Sequence, residues 1–329
     1  MTDIARLAKV SKPTVSRALS NSPLVNEKTR LHVLEVARQH GYAVNRNAQK
    51  LRHHRTNTIA VSLDFISHKQ NHIADPFIFD LLAGVSEALG NFNQDLLLCA
   101  PTHNNLSTFQ QILSSRGADG FIFLGQGHRE ALLRQLAELG APMVVWGSAS
   151  EDTPYCVVGS DNFRGGQLAA EYFAKQGRDK LLFVGDTSFR EIYLRRAGLE
   201  QGIAKLLPNA TITDLPLSDF SFETSFAAAQ DYLRTNLHLA NGVFAYSDTT
   251  AMALIRACQD HGLQVPKDVN VVGYNDIPAA SYFSPALTTI RQDTYQAGQV
   301  MAGCLIDMLD SDGKPNSTVI GTELIERDS

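Results

Sequence analysis

Cysteines are few, and long hydrophobic runs are missing from the sequence. The four cysteines are widely spaced and form no paired motif, which argues against a structural zinc site and fits a reducing compartment: Cys99, Cys156, Cys258 and Cys304. No uncharged apolar run approaches the roughly 20 residues that a bilayer span needs. Asp3, Arg6 and Lys9 stand where a signal peptide would have an apolar core. We therefore expect a cytoplasmic protein with no membrane partner, whose cysteines are packing residues.

Signatures of catalysis are missing as well. Gly125-Gln126-Gly127 follows a predicted strand, but Glu130 stands where the third glycine of a dinucleotide fingerprint belongs. The sequence has no Gly-Lys-Ser/Thr phosphate loop, no nucleophile elbow and no HExxH pair. His53 and His54 lie in a basic segment, where we expect them to face phosphates rather than a metal. The sequence therefore predicts a non-enzymatic protein with no cofactor and no metal site.

Charge is divided unequally along the 329 residues. The net charge of −5 combines +8 over residues 1–57, from eleven Lys and Arg against three acids, with −13 over the remainder. Such a division is typical when one end binds phosphates and the rest must not adhere to nucleic acid. A solvated charged tail is the alternative, but a tail would lack an apolar pattern. The length favours two or three folding units, one of them small.

The basic segment carries the apolar pattern of short helices. Apolar residues recur at helical spacing on either side of a break at Val10-Ser11: Ile4, Leu7 and Ala8, then Val15, Ala18 and Leu19. Ser11 can cap the second helix through its hydroxyl, and Pro13 is tolerated in a first helical turn. These residues predict two short helices joined by a tight turn.

A third helix is predicted from Asn26 through about His40. Asn26 is a favoured cap, and Gly41 has the position that helices favour for glycine at their end. We assign the inward face of this helix to three apolar residues: Leu31, Leu34 and Ala37. Three short helices with a surplus of Lys and Arg are typical of a helix-turn-helix module, whose second helix enters the DNA major groove.

The residues of this segment resemble a known family. Residues 3–19, DIARLAKVSKPTVSRAL, are similar to the headpiece of the lac repressor (LacI/GalR) family, and residues 25–42 continue the likeness. The resemblance implies base-reading or phosphate contacts in the second helix: Lys12, Pro13, Thr14, Ser16 and Arg17. Arg17 suits a bidentate contact to guanine, which gives roughly 1 to 3 kcal/mol of discrimination. The alternative at each position is an ordinary solvated surface residue.

Residues 45–52, NRNAQKLR, resemble the hinge helix of that family, which folds on operator DNA and pairs across a dimer. The resemblance makes Asn45 a DNA-binding residue and Leu51 a wedge in the minor groove, with an ordinary linker leucine as the alternative. Two features depart from the family pattern. Val44 replaces the usual proline, and only two residues precede Asp3, which leaves the start of the first helix open.

From Thr58 onward, short apolar runs alternate with helical patterns. The predicted strands are 59–63, 96–99, 121–124, 143–146, 181–184, 243–246 and 269–273, and the helices between them include 77–89, 165–176 and 249–261. This repetition predicts parallel sheets with helices on both faces. About 270 residues of this pattern would form two doubly wound subdomains, with a cleft where the carboxyl ends of their strands face each other.

The family resemblance continues through this region and covers nearly the whole chain. The segments that resemble family landmarks are 75–77, 159–162, 195–198, 247–248, 271–276 and 287–293. The resemblance implies an α/β core like that of periplasmic binding proteins, with chain crossings between its subdomains near residues 158, 286 and 315. It also implies three parts: a headpiece at 1–43, a hinge helix and linker at 44–57, and an effector-binding and dimerisation domain at 58–329.

The resemblance also assigns residues to an effector site. Arg195, Ser247 and Asn275 correspond to residues that hydrogen-bond the effector in sugar-responsive members. Arg195 fits because a planar guanidinium can hold two vicinal hydroxyls or a carboxylate; a salt bridge within the subdomain is the alternative. Further candidates are Asp75, Phe77, Trp146, Arg164 and Asp276.

Each further candidate also has a structural interpretation. Trp146 can stack on a sugar or belong to the core, and Arg164 can be a surface residue. Asp276 can hold the loop that follows its strand. Asp161 is expected to cap a helix that begins near Asn162.

Together these patterns predict a sequence-specific DNA-binding transcriptional regulator. We expect a homodimer on double-stranded, pseudo-palindromic operator DNA that is released by a small effector, a sugar or glucoside. Asp75 and Trp146 favour a neutral glucoside or oligosaccharide, and a purine-type corepressor is the alternative. A pure sugar-binding protein would lack the basic headpiece, and an enzyme would need a nucleophile, a metal set or a phosphate loop.

Overall fold

A computed structural model describes residues 1–19, 22–42, 55–64, 75–100, 105–236, 240–311 and 316–329. It divides into two compact units, Met1–Thr56 and Asn57–Ser329. The predicted hinge residues Asn45 and Leu51 lie outside the described residues. Among the helices of these ranges, none combines the length and the apolarity that crossing a bilayer requires.

The first unit folds as three short helices, as the sequence predicts. They are α1 (Thr2–Leu7), α2 (Lys12–Leu19) and α3 (Glu27–Gln39). The Ser11 hydroxyl accepts a hydrogen bond from the Thr14 amide at 3.2 Å, and the Asn26 side chain accepts one from the Thr29 amide at 2.8 Å. Both predicted caps are therefore confirmed. Gly41 has a φ of +59° just beyond α3, a conformation that favours glycine.

Small and β-branched residues fill the core of this unit: Ile4, Ala5, Ala8, Val15, Ala18, Val25, Val33 and Ala37. The predicted inward face of α3 is wrong for Leu31 and Leu34, which are 58% and 42% exposed. Residues spaced by three drift about 60° round a helix at each step, so the predicted set spreads over about 120°, and only Ala37 falls on the buried side. Val33 and Ala37, spaced by four, do share one. Leu7 of α1 is exposed as well.

Arg30 braces the turn between α2 and α3. Its guanidinium donates to the carbonyl oxygens of Ser22 and Val25 at 2.9 and 3.1 Å, and it pairs with Glu27. At least one of the eleven basic residues of this segment is therefore committed to the fold of the headpiece.

The second unit alternates strands and helices. Its first part contains β1 (Thr58–Leu63), α4 (Pro76–Asn91), β2 (Asp95–Leu98), α5 (Leu106–Ser114), β3 (Gly120–Leu124), α6 (Glu130–Glu138), β4 (Met143–Trp146) and β5 (Cys156–Ser160). A 3₁₀ turn at Gly127–Arg129 precedes α6. The next part contains α7 (Asn162–Lys175), β6 (Lys180–Val184), α8 (Arg190–Leu206), β7 (Thr211–Leu215), α9 (Phe222–Asn236), β8 (Gly242–Ala245), α10 (Asp248–Asp260), β9 (Asn270–Asn275), α11 (Pro278–Tyr282) and β10 (Thr288–Gln292). The last elements are α12 (Thr294–Asp310), β11 (Thr318–Ile320) and β12 (Thr322–Ile325).

Strand pairing divides these elements into two subdomains. Over the described residues, one six-stranded sheet has the order β11-β5-β4-β3-β1-β2, and the other has the order β12-β10-β9-β8-β6-β7. Neighbouring strands are parallel except β10 and β12, which are antiparallel. The predicted fold of two doubly wound parallel-sheet subdomains is confirmed.

The chain passes between the subdomains at three points. Each predicted crossing lies a few residues too early in the sequence. β5 is the last strand of the first sheet before the chain enters the second subdomain, so the first crossing follows at Asp161 rather than near 158. The second follows β10 at Asp293 rather than near 286, because β10 still belongs to the second sheet. The third is Gly321, between β11 and β12, rather than a residue near 315.

Burial accompanies most of the successful strand predictions, although the exposed β2 was predicted and the buried β5 was not. The predicted strands β1, β3, β4, β8 and β9 are buried at every residue, as expected for parallel strands covered on both faces. The strands that were not predicted include β7, β11 and β12. Each of these is the outermost strand at an edge of its sheet, and much of its length is exposed. Their composition therefore carries no apolar run.

Glycines bring two helix pairs into close contact, one in each subdomain. In the first subdomain, a Cβ at Gly84 of α4 would overlap the Tyr295 carbonyl, and one at Gly298 of α12 would overlap the Leu81 carbonyl. In the second subdomain, a Cβ at Gly166 of α7 or at Gly198 of α8 would likewise overlap backbone atoms of the facing helix. Each subdomain is thus a tightly packed body whose helix spacing depends on the missing methyl groups.

We predict opposite effects for the same substitution at two glycines of α12. Gly298→Ala should lower the free energy of unfolding by about 1 to 3 kcal/mol, because the new methyl group must displace facing backbone. Gly303→Ala is the matched control, since nothing lies within 4 Å of its added Cβ. Better helix propensity should then raise stability by about 0.5 to 1 kcal/mol. Urea denaturation followed by tryptophan fluorescence measures both, and equal effects would contradict the close helix contact.

Candidate functional site

A pocket opens where strands of both sheets end. It encloses about 770 Å³, its open mouth included. Residues that end or follow β1, β3 and β4 line one wall, and residues that end or follow β8 and β9 or lie in the first turns of α8 line the other. The carboxyl ends of parallel strands are the usual binding edge of such sheets, so this is the predicted cleft.

Aromatic rings form much of the pocket wall. Trp146, at the end of β4, lies 6.0 Å from Phe77 between ring centres. On the opposite wall, Phe220 lies 4.9 Å from Phe189 and 5.1 Å from Tyr246. Phe77 packs against the cores of both subdomains. Aromatic side chains that line a pocket suit the apolar face of a ligand ring.

Arg195 is buried at the base of the second wall. Its Nε donates to the Asn162 side chain at 2.8 Å, and its Nη1 donates to the Tyr246 carbonyl. The guanidinium carbon lies 3.5 Å from the centre of the Tyr274 ring, a cation–π contact. Burial lowers the pKa of Arg195, and the neighbouring Tyr274 and Glu191 oppose that effect. These partners are neutral, whereas the alternative interpretation of Arg195 was a salt bridge within the subdomain.

Ser247 and Asn275 also line the pocket. Ser247 caps α10, since its hydroxyl accepts a hydrogen bond from the Thr250 amide at 3.3 Å. Asn275 has a φ of +116°, a strained conformation for a residue with a side chain. Its side-chain oxygen accepts a hydrogen bond from Gln292 at 2.7 Å. The amide group of Asn275 is therefore held in one orientation at the pocket wall.

Asp248 lies beneath these two residues and is fully buried. Its carboxylate accepts hydrogen bonds from the Ile277 amide at 2.8 Å and from the Thr289 hydroxyl. Burial raises the pKa of Asp248 to about 8, although these two hydrogen bonds oppose the rise. Asp248 therefore ties the loop after Asn275 to β10 and the start of α10.

Three acids stand in the pocket. Asp64 follows β1 and is paired with the buried Arg129, with 3.6 Å between Oδ1 and Nε. Asp75 caps α4 by accepting a hydrogen bond from the Phe77 amide at 3.1 Å, and Glu191 begins α8. Burial raises the pKa of both Asp75 and Glu191, and the nearby charge of Arg195 opposes the rise.

Two predicted effector residues lie outside the pocket lining. Arg164 donates to Glu171 on the surface of α7, with 2.6 Å between the closest atoms. Asp276 is held by Arg291 and Arg327, each at 2.7 Å. Both charged groups therefore have other partners. The remaining predicted residues come together in the pocket: Asp75, Phe77, Trp146, Arg195, Ser247 and Asn275.

Several lining residues escaped the sequence prediction. They are Asp64, Gln126, Phe189, Glu191, Phe220 and Tyr246. Asp64 and Gln126 follow predicted strands within two residues, and Tyr246 is the last residue of one; the ends of strands were therefore the signal that could have identified them. No comparable signal marks Phe189, Glu191 or Phe220, because α8 and the region around β7 were not predicted.

The second helix of the headpiece presents its first turns to the surface. Lys12, Pro13 and Arg17 are exposed, whereas Thr14 and Ser16 are half-buried. The Thr14 hydroxyl lies 2.8 Å from that of Ser11, so part of its hydrogen bonding is used within the cap. The geometry is that of a helix-turn-helix module with a polar recognition surface.

Comparison with known proteins agrees with this architecture. Residues 1–45 match the model of bacterial regulatory proteins of the lacI family, and residues 170–329 match a periplasmic binding protein-like domain. The transcriptional regulator RegA of Clostridium saccharobutylicum is 31% identical over 338 residues, which cover 99% of this chain and 98% of RegA. The chain belongs to the LacI family.

This LacI-family protein is therefore a DNA-binding transcriptional regulator with an effector-binding domain, as predicted. The repressor PurR of Yersinia enterocolitica is also 31% identical, over 99% of this chain and 95% of PurR. A solved complex of the regulator CelR with cellobiose is 26% identical, with a TM-score of 0.73 over 99% of this chain and 98% of CelR. A lac repressor dimer bound to operator and an anti-inducer shares the fold, at 22% identity and a TM-score of 0.84 over 99% and 97% of the two chains.

We predict that Arg195→Ala lowers the free energy of unfolding of this regulator by about 1 to 3 kcal/mol. The substitution leaves the Asn162 oxygen and the Tyr246 carbonyl without their buried donor. Arg234→Ala is the control, because that side chain is 68% exposed and pairs with Asp231 at the surface. The control should change stability by less than about 0.5 kcal/mol. Urea denaturation measures the free energy of unfolding of both variants. Equal losses in the two variants would contradict a stabilising role for the buried hydrogen bonds of Arg195.

Proposed function

We propose that this regulator is a repressor that binds a pseudo-palindromic operator as a homodimer and is released by a small sugar. The observation that carries the sugar assignment is the pocket, where aromatic rings, Arg195, Ser247 and Asn275 face one space. The CelR complex supports it, because that relative holds cellobiose. The protein acts in the cytoplasm, where it meets chromosomal DNA, and it is not an enzyme.

For the DNA site, we propose the residues that the family resemblance assigns. They are Lys12, Pro13, Thr14, Ser16 and Arg17 of the headpiece, with Asn45 and Leu51 of the hinge. Lys12 in the first turn of α2 and Arg17 in its last turn are both exposed, which supports contacts with DNA along this helix.

For the effector site, we propose the six predicted residues that line the pocket. Asp75, Phe77 and Trp146 contribute from the first subdomain, and Arg195, Ser247 and Asn275 contribute from the second. A ligand that contacts both walls favours one relative position of the subdomains. Effector and operator then compete through that equilibrium, and each must weaken the other by the same factor.

A purine-type corepressor is the second candidate. The identity with PurR supports it, and aromatic walls can hold a flat base as well as a sugar ring. The sign of the response separates the two candidates. A sugar that lowers operator affinity supports the proposal of release by an inducer. A purine that raises operator affinity would support the corepressor instead.

Exposed apolar residues support the homodimer. Leu97 and Leu98 of the edge strand β2 are 39% and 48% exposed, and Phe79 of the adjoining α4 is 48% exposed.

We predict that Leu98→Glu shifts the protein from dimer to monomer in sedimentation equilibrium, because a charge at this edge opposes burial. Leu139→Glu is the control, since Leu139 is also exposed but follows α6. A dimer that survives Leu98→Glu unchanged would place the interface elsewhere.

We predict that Arg17→Ala removes operator preference but keeps salt-sensitive binding to any duplex. The reason is that a base contact gives specificity, whereas phosphate contacts give affinity that falls with salt. The operator is first obtained by selection from random duplexes, and competition binding then measures preference. Arg38→Ala is the control, because Arg38 is 77% exposed and pairs with Glu35 on α3. Failure of the intact protein to select any duplex sequence would overturn the proposed function.

A further inference from the structure

The acids of the pocket come from both of its walls. Asp64 and Asp75 belong to the first subdomain, and Glu191 belongs to the second. Glu191 reaches toward the opposite wall, because its Oε1 would lie 3.1 Å from a Cβ placed on Gly147, the residue after Trp146. Carboxyl groups from both walls therefore border the space that a ligand would occupy.

The cations near the pocket are already used by the protein. Arg129 is fully buried behind Asp64 and donates to the Ser62 hydroxyl at 3.0 Å and to the Leu63 carbonyl at 3.1 Å. Arg195 has the partners described above. Among the described residues that line the pocket, Arg195 is the only Lys or Arg. In the described lining of the pocket, three carboxyl groups therefore outnumber the single guanidinium, which disfavours an anionic ligand.

Asp75 and Glu191 differ from Asp64 because neither forms an ion pair like that of Asp64 with Arg129 among the described residues. One oxygen of Asp75 accepts the Phe77 amide, which leaves its other oxygen as a further acceptor. Burial raises the pKa of both groups, so a donor from a ligand would stabilise their charged forms. Hydroxyl groups supply such donors without bringing negative charge.

We propose that Asp75 and Glu191 form a carboxylate clamp that selects an uncharged polyhydroxylated effector and rejects anionic sugars. Each carboxylate accepts a hydroxyl hydrogen from the same ligand, one from each subdomain, while the aromatic walls cover its ring faces. Sugar acids and sugar phosphates are excluded because the two carboxylates repel their negative charge. This inference rests on the proposed function and adds the charge class of the effector.

The first experiment needs no knowledge of the effector. Trp146 is the single tryptophan of the chain and lies in the pocket wall, so its fluorescence reports on the pocket. Quenching by iodide, an anion, is compared with quenching by neutral acrylamide. The clamp should suppress iodide quenching, and the double variant Asp75→Asn with Glu191→Gln should increase it about threefold or more at low salt, with acrylamide quenching unchanged.

Matched variants control for helix capping. Asp75→Asn keeps a side-chain oxygen for the Phe77 amide, since asparagine caps helices as well as aspartate does. Asp161→Asn makes the same change at the cap of α7, where Asp161 accepts the Arg164 amide at 2.9 Å outside the pocket lining. It should leave iodide quenching unchanged. Equal iodide quenching in the wild type and the double variant would overturn the clamp.

The second experiment compares ligands by thermal shift of the full chain. The probes are glucose, cellobiose, glucosamine, glucuronate and glucose 6-phosphate, and a bound ligand stabilises by mass action. Stabilisation by glucose or cellobiose alone supports the clamp, and either single variant should weaken that binding about tenfold or more. Stabilisation by glucuronate or glucose 6-phosphate would overturn the clamp while leaving a sugar-controlled repressor in place. Stabilisation by glucosamine alone would overturn the uncharged class.

Failure of every sugar would instead count against the proposed sugar effector. The iodide comparison still decides the clamp in that case, because it compares the wild type with the double variant and needs no bound sugar. The two proposals can therefore fail independently.

Discussion

The pocket depends on one buried guanidinium. Arg195 of α8 lies on the ring of Tyr274 in β9 and donates to Asn162 of α7 and to the chain that follows β8. A buried charge is costly unless its donors are satisfied, so these partners must keep their positions. One side chain thereby fixes two helices relative to two strand ends. The pocket residues Tyr246, Ser247 and Asn275 follow directly from those strand ends.

The two subdomains place different chemistry around the same space. The first provides Trp146, Phe77 and the acids Asp64 and Asp75, whereas the second provides Arg195, the polar groups of Ser247 and Asn275, and Glu191. Neither wall forms a complete site without the other. A ligand that satisfies both walls therefore acts on the relation between the subdomains, which is what an effector of a regulator must do.

Local signals made much of this structure predictable, and long-range pairing set the limit. Ser11, Asn26 and Asp161 cap helices through amides three residues away, so their roles are visible in short stretches of sequence. By contrast, Arg164 and Asp276 lie near pocket positions in the sequence, but their partners Glu171 and Arg327 turn them elsewhere. Exposed strands such as β7 and β12 carry no apolar run, so no pattern marked Glu191 or Phe220 as pocket residues, although the family resemblance marked Arg195 of the same helix as Glu191.

The arrangement of the last two strands limits how the subdomains can move. β11 joins the edge of the first sheet and β12 joins the edge of the second, with only Gly321 between them. Adjacent Cα atoms are about 3.8 Å apart, so the two sheet edges are tethered at this point. The subdomains cannot move apart at this point unless β11 or β12 loses its pairing with the neighbouring strand. They can rotate, with Gly321 as a pivot, and the far rim of the cleft then sweeps the widest arc.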